Sequence, residues 1–219
     1  MITLDSYQFK AAIFDMDGTM VDNMMVHHQA WQKKLEELGM PLPLEEVMQK
    51  VHGINEEILT RLFGDQLTPA ERKQHSFDKE ARYRELFKDS LALIDGLDGF
   101  FQSLRNRGVK LAVGSAAPPE NVDFVLDNLS IRSLFEIVLH ARHVKKGKPD
   151  PEIYLKIMDQ LSVKPEECIV FEDSPVGAEA VERSGAKVVV ITTTHDPQEF
   201  AHLSQIIGFV EDFTELQMS

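Results

Sequence analysis

The feature that most constrains this chain is a series of short, continuously apolar runs that recur at helix-length intervals. They are 11–15 (AAIFD), 111–115 (LAVGS), 137–141 (IVLHA), 168–172 (CIVFE) and 188–192 (VVVIT), with a weaker one at 208–210 (GFV). None alternates polar with apolar, so each reads as a strand covered on both faces, as in a parallel sheet. Helical periodicity fills the intervals between the later runs, over about 95–107, 118–129, 150–161 and 174–184. Strand and helix therefore alternate from residue 92 onward, which predicts an α/β fold with a doubly wound, Rossmann-like parallel sheet. Asp150-Pro151 and Ser174-Pro175 each offer a capping side chain before a proline at the first helical position, and Gly108 and Gly185 follow helices as left-handed terminators.

Residues 22–90 break the alternation. They contain no strand pattern and four helical ones, over about 24–39, 44–51, 55–63 and 68–89, separated by Gly39, Pro41, Pro43 and Gly64. The block reads as an all-helical domain inserted after the first strand. The expected division is a Rossmann-like core of 1–21 and 92–219 and a helical domain of 22–91, with hinges near Asp22–Met24 and Ser90–Gly96.

Composition narrows the partners. A chain of 219 residues buries roughly 70% of its unfolded surface, enough for one good core. The formal net charge of −13 repels nucleic acid and anionic membrane surfaces. No run approaches the roughly 20 apolar residues needed to cross a bilayer, and MITLDSYQFK has neither the basic patch nor the apolar stretch of a signal peptide. The one cysteine, Cys168, lies in an apolar run and reads as a buried small hydrophobe. These features fit a reducing cytoplasm, and no exposed apolar helix argues against a monomer.

Four short motifs carry the chemistry, three of them at the carboxyl ends of predicted strands, where ligands bind in open parallel sheets. Asp15-Met16-Asp17-Gly18-Thr19 follows the first strand. Two carboxylates two residues apart repel one another unless a cation lies beside them, and hard oxygen ligands suit Mg²⁺. One such carboxylate can attack a phosphorus atom while the other moves a proton. Gly18 allows the sharp turn. Ser115 ends the strand KLAVGS and can hydrogen-bond a phosphoryl oxygen; Lys148, before Pro149, can neutralise it; Glu172-Asp173 place two more acids at another strand end. Each motif has a plain alternative: solvated acids at a turn, a turn serine, a surface lysine, acids capping a helix. Together, and in this order, they point to phosphoryl transfer.

FDMDGT, GSA, GKPDPEIY and VFEDSPVGAEAVERSGA resemble the haloacid dehalogenase-like superfamily across essentially the whole chain, and most closely its β-phosphoglucomutase-like phosphatases and mutases. The helical insert is similar to that superfamily's mobile cap, in which His27 and Trp31 match a His and a Trp of β-phosphoglucomutases. The resemblance implies that Asp15 forms an aspartyl-phosphate and that Asp17 is the acid and base. It also implies that Ser115 and Lys148 bind the transferring group. Mg²⁺ would be held by the Asp15 and Asp173 carboxylates and the Asp17 carbonyl, with Glu172 close to the metal. Gly18, Thr19 and Ala116 are candidate substrate-binding residues beside these motifs. His27, His28, Trp31, His52, Asn55 and Glu56 are candidate specificity residues in the cap, with ordinary packing the plainer role for most of them, Trp31 included.

The cap loop departs from the mutase pattern. Where β-phosphoglucomutases carry a Lys and an Arg for a second phosphate, this chain has His52 and Glu56, and Ala117-Pro118-Pro119 replaces their Ser-Lys-Asn segment. A glutamate repels a second phosphate. The expected activity is therefore Mg²⁺-dependent hydrolysis of a small phosphorylated metabolite, a sugar phosphate by analogy. The alternatives are a phosphomutase or a non-catalytic metabolite-binding protein on the same fold.

Overall fold

The computed structural model describes residues 1–218. In chain order the elements are β1 (Ile2–Thr3), β2 (Ala11–Phe14), α1 (Met24–Glu37), α2 (Leu44–Lys50), α3 (Asn55–Phe63), α4 (Pro69–Phe87), α5 (Leu97–Asn106), β3 (Lys110–Gly114), α6 (Pro119–Asn128), β4 (Ile137–Leu139), α7 (Glu152–Leu161), β5 (Cys168–Glu172), α8 (Pro175–Ser184), β6 (Lys187–Ile191), β7 (Ile206–Val210) and β8 (Leu216–Gln217). They form two compact units: Met1–Asp22 with Ala92–Ser219, and Asn23–Leu91.

The first unit is built on a six-stranded sheet of order β4-β3-β2-β5-β6-β7, every pair parallel. Its strands are buried because they are apolar on both faces: every residue of β2 and β5 is inside. Phe14 stacks on Phe171 across β2 and β5 with centroids 4.7 Å apart, and Phe101 meets Phe14 edge-on at 5.1 Å. Each such ring contributes roughly 2–3 kcal/mol of apolar burial, so the two central strands are held where the chain order reverses. The sequence places the later helices to within two residues, but α7 begins at Glu152 rather than at Pro151, so the proline is not its first helical residue. Asp150 nevertheless accepts the Glu152 N–H at 3.1 Å, doing the work of a cap from one position further out. Ser174 caps α8 as its sequence predicts, accepting the Gly177 N–H at 3.1 Å. A two-residue parallel pair, β1 with β8, is an addition that the sequence pattern does not announce.

The second unit is helical throughout. Trp31, Leu35, Val47, Ile58, Leu59 and Phe63 form its core, at the i, i+4 spacing that gives α1 and α3 one apolar face each. Among the described residues, no helix of either unit is long and apolar enough to cross a membrane.

Candidate active site

Strand register sets the site. Phe14 pairs with Phe171, and the Asp15 N–H continues the ladder onto the Phe171 carbonyl at 3.0 Å, so Asp15 and Glu172 emerge side by side from adjacent strands. This is the point where successive crossovers turn in opposite directions, the place where open sheets of this kind bind ligands. Beyond it, residues 16–21 close a tight loop in which the Gly18 N–H bonds the Val21 carbonyl at 2.9 Å. Gly18 has φ +75°, and a Cβ there would overlap the Asp173 carboxylate, so glycine is required twice over.

Four charged side chains converge at this end of β2 and β5. Lys148 Nζ lies 2.5 Å from Asp15 Oδ1 and 2.6 Å from Glu172 Oε1. One oxygen from each of Asp15, Glu172 and Asp173 falls within 4.8 Å of the others, and all three acids are buried. Asp173 is fixed by the Thr194 hydroxyl, 2.5 Å from Oδ2, and the Thr19 hydroxyl, 3.4 Å from Oδ1. Thr193 donates to the Gly18 carbonyl and so ties the loop after β6 to the first motif.

Three buried acids share one cation, and their proton affinities follow. Burial raises Asp15 well above the ordinary aspartate value, Glu172, Asp173 and Asp17 push the same way, and Lys148 opposes them. Burial and then Glu172 push Asp173 up to about 7. Glu172 goes the other way: burial would lift it, but Lys148 and its hydrogen-bond donors hold it below its usual value. Burial alone would lower Lys148, yet Asp15 and Glu172 outweigh it and hold the ammonium well above the ordinary lysine value. Fully ionised, the three acids would carry more negative charge than the one lysine compensates, and the raised proton affinities of Asp15 and Asp173 express that excess. That excess, on oxygen donors, is what a hard divalent cation would relieve, and the donor set fits one.

The other predicted residues of this unit lie on the same strand ends. Ser115, 1% exposed, directly follows β3; its N–H bonds the Leu139 carbonyl at 3.1 Å and its Oγ accepts the Ala117 N–H at 3.0 Å. Thr19 is buried, Ala116 is exposed, and Asp17 is partly exposed.

In the helical unit, His27 stacks on Tyr83 at 3.8 Å and meets Lys79 Nζ at 2.8 Å through Nδ1. Asn55 donates to Glu80 Oε1 at 2.6 Å, and Lys79 reaches the same oxygen at 3.0 Å. His27 and Asn55 thus join one polar cluster, whereas His52 and Glu56 stand exposed. Sequence pattern alone assigns no role to Tyr154, Thr193, Thr194, Lys79 or Glu80. For Tyr154 the signal lay inside GKPDPEIY, where a phenol in an apolar helix face stands close in sequence to Lys148.

Residues 9–185 match the family model for haloacid dehalogenase-like hydrolases. The chain is 32% identical to a phosphorylated carbohydrates phosphatase of Thermotoga maritima, over 80% of this chain and 82% of that protein. It is 30% identical to the β-phosphoglucomutase of Bacillus subtilis, over 80% of each. A family IA hydrolase structure from Entamoeba histolytica superposes with a TM-score of 0.87 at 24% identity, covering 96% of both chains.

Proposed function

Because this chain belongs to the haloacid dehalogenase-like hydrolases, we propose that it hydrolyses the phosphate monoester of a small metabolite, with Asp15 as the nucleophile. The observation that carries this reading is the buried Lys148–Asp15 contact at 2.5 Å, within a cluster of acids at the carboxyl ends of β2 and β5.

Asp15 attacks the phosphorus, the ester P–O bond breaks, and Asp17 gives the departing alcohol its proton. Asp17 then takes a proton from a water molecule that attacks the aspartyl-phosphate, which releases inorganic phosphate and regenerates Asp15. Lys148 and the Ser115 hydroxyl hold the phosphoryl oxygens, where charge spreads in the transition state. The Asp15 and Asp173 carboxylates would hold Mg²⁺ with the Asp17 carbonyl, and Glu172 would stand beside it. When bound, the ion would supply positive charge that keeps Asp15 ionised and draws the phosphate in. A phosphorylated carbohydrate is the favoured substrate class, in line with the name of the Thermotoga relative.

Transfer within a sugar phosphate is the second reading, favoured by the 30% identity to a β-phosphoglucomutase. The glutamate at position 56, in the first turn of α3 and at a position where mutases place an arginine, argues for water as the acceptor. Phosphate release from a panel of small esters, with and without Mg²⁺, tests both. Hydrolysis is expected from the wild type with Mg²⁺, with at least a thousandfold loss in Asp15→Asn, the scale seen when a nucleophile is removed. Isomerisation of glucose 1-phosphate outrunning phosphate release would overturn hydrolysis in favour of the mutase.

A further inference from the structure

We propose that Tyr154 is a positioning residue of the phosphoryl site: its hydroxyl fixes Glu172, and Glu172 in turn holds Lys148 in place. The inference rests on the hydrolytic reading for its functional meaning, but its geometry stands apart from it.

Tyr154 is fully buried near the start of α7. Its hydroxyl donates to Glu172 Oε1 at 2.8 Å, the same oxygen that Lys148 Nζ contacts at 2.6 Å. Lys148 Nζ also lies 5.1 Å from the centre of the Tyr154 ring. The other oxygen, Oε2, accepts the Asp173 N–H at 3.0 Å, the Ser174 N–H at 3.2 Å and the Ser174 hydroxyl at 3.2 Å. Five donors thus surround a group with about four lone-pair sites. The space is closed from below as well, because a Cβ at Gly177 would overlap this carboxylate.

A lysine amine rides on four rotatable methylenes and is not oriented by one contact. Lys148 is oriented by two, Asp15 and Glu172, and only one of these is itself immobilised by the protein on every side. Removing the Tyr154 hydroxyl frees Oε1 on that side. Lys148 and Glu172 can then shift together toward Asp15, and the amine is lost to the phosphoryl oxygens. The ring supplies packing, whereas the hydroxyl supplies the orientation, and the two can be separated.

Tyr154→Phe in the full-length chain keeps the ring and removes the hydroxyl. Three quantities decide the matter: the affinity for inorganic phosphate by calorimetry in the presence of Mg²⁺, the affinity for Mg²⁺ alone, and kcat and KM on the best ester of the panel. Phosphate affinity and kcat/KM are expected to fall about tenfold or more, the usual cost of losing a partner that orients a site group. Mg²⁺ affinity is expected to stay within about twofold, since Asp173 is held by Thr194 and Thr19 rather than by Tyr154. Gly177→Ala displaces Glu172 from the other side while favouring the helix by propensity, and the same loss of phosphate affinity is expected there. Wild-type phosphate affinity and kcat/KM in Tyr154→Phe would overturn the assignment. A joint fall of phosphate affinity, Mg²⁺ affinity and melting temperature would overturn it too, in favour of a purely structural role. If the wild type binds phosphate but hydrolyses nothing, and Tyr154→Phe loses the binding, the assignment stands while the hydrolytic reading falls. If the wild type hydrolyses esters and Tyr154→Phe matches it, the reverse holds.

Discussion

At Asp173 a bound cation would compete with a proton for one carboxylate. Burial and the neighbouring Glu172 push its pKa up to about 7, so in the metal-free protein Asp173 gains a proton as the pH falls through neutrality. The protonated acid is a poor ligand. Mg²⁺ affinity is therefore expected to rise with pH through about 7, with proton release on binding at pH 6, and Asp15, whose proton affinity burial also raises, pushes the same way. Calorimetry in buffers of different ionisation enthalpy measures both. Gly18→Ala strikes the same carboxylate from the loop side. It places a Cβ at φ +75° on top of Asp173, so a weaker Mg²⁺ site and a loss of about 1–2 kcal/mol of stability are expected, read from Mg²⁺ titration and chemical denaturation. Cys168 is a different case. It is 1% exposed, and burial pushes its thiol up to about 12. The folded chain should react negligibly with a thiol reagent at pH 8 and completely once denatured.

Helix α4 carries a reciprocal cap. The Glu71 N–H donates to Thr68 Oγ1 at 3.3 Å, and the Thr68 N–H donates to Glu71 Oε2 at 2.8 Å. Thr68→Ala should cost about 1 kcal/mol, seen as a lower midpoint in the denaturation of the helical unit. That cap illustrates what a sequence can and cannot disclose. Strands β2, β5 and β6 were legible because a strand buried on both faces must be apolar throughout, and the meeting of Asp15, Glu172 and Asp173 was legible because Glu172 ends such a strand and the other two directly follow one. Boundaries were less so: α7 starts one residue late because Asp150 reaches over Pro151 to cap it. The pairing of β1 with β8 was hidden because two residues make no pattern. Tyr154 was hidden for another reason. Along α7 it is one more apolar-face residue, and its acceptor belongs to a strand 18 positions away. Thr194 reaches Asp173 across 21 positions, so its role is equally invisible to local spacing.

The whole chain carries a formal charge of −13, and its proposed substrate is an anion. At saturating Mg²⁺, added inert salt should raise kcat/KM on a dianionic ester up to roughly 0.1 M, where the screening length is about 10 Å. A steady fall would mean that the cations around Lys148 dominate the field that the substrate meets. The helical unit raises a separate matter. The chain that leaves β2 and the chain that returns to α5 are tied together by the Ile94 N–H on the Met20 carbonyl at 2.9 Å. For the sheet, residues 23–91 are accordingly a loop whose two ends are already stitched. Closing a longer or shorter loop changes the entropy only logarithmically, so the core is nearly indifferent to what is threaded between the stitches. Natural variation is free to rewrite that segment wholesale while the carboxylates stay untouched. Chimeras that graft another helical insert between Asp22 and Ala92 should keep Mg²⁺ binding and, if the insert selects the ester, exchange one substrate preference for another.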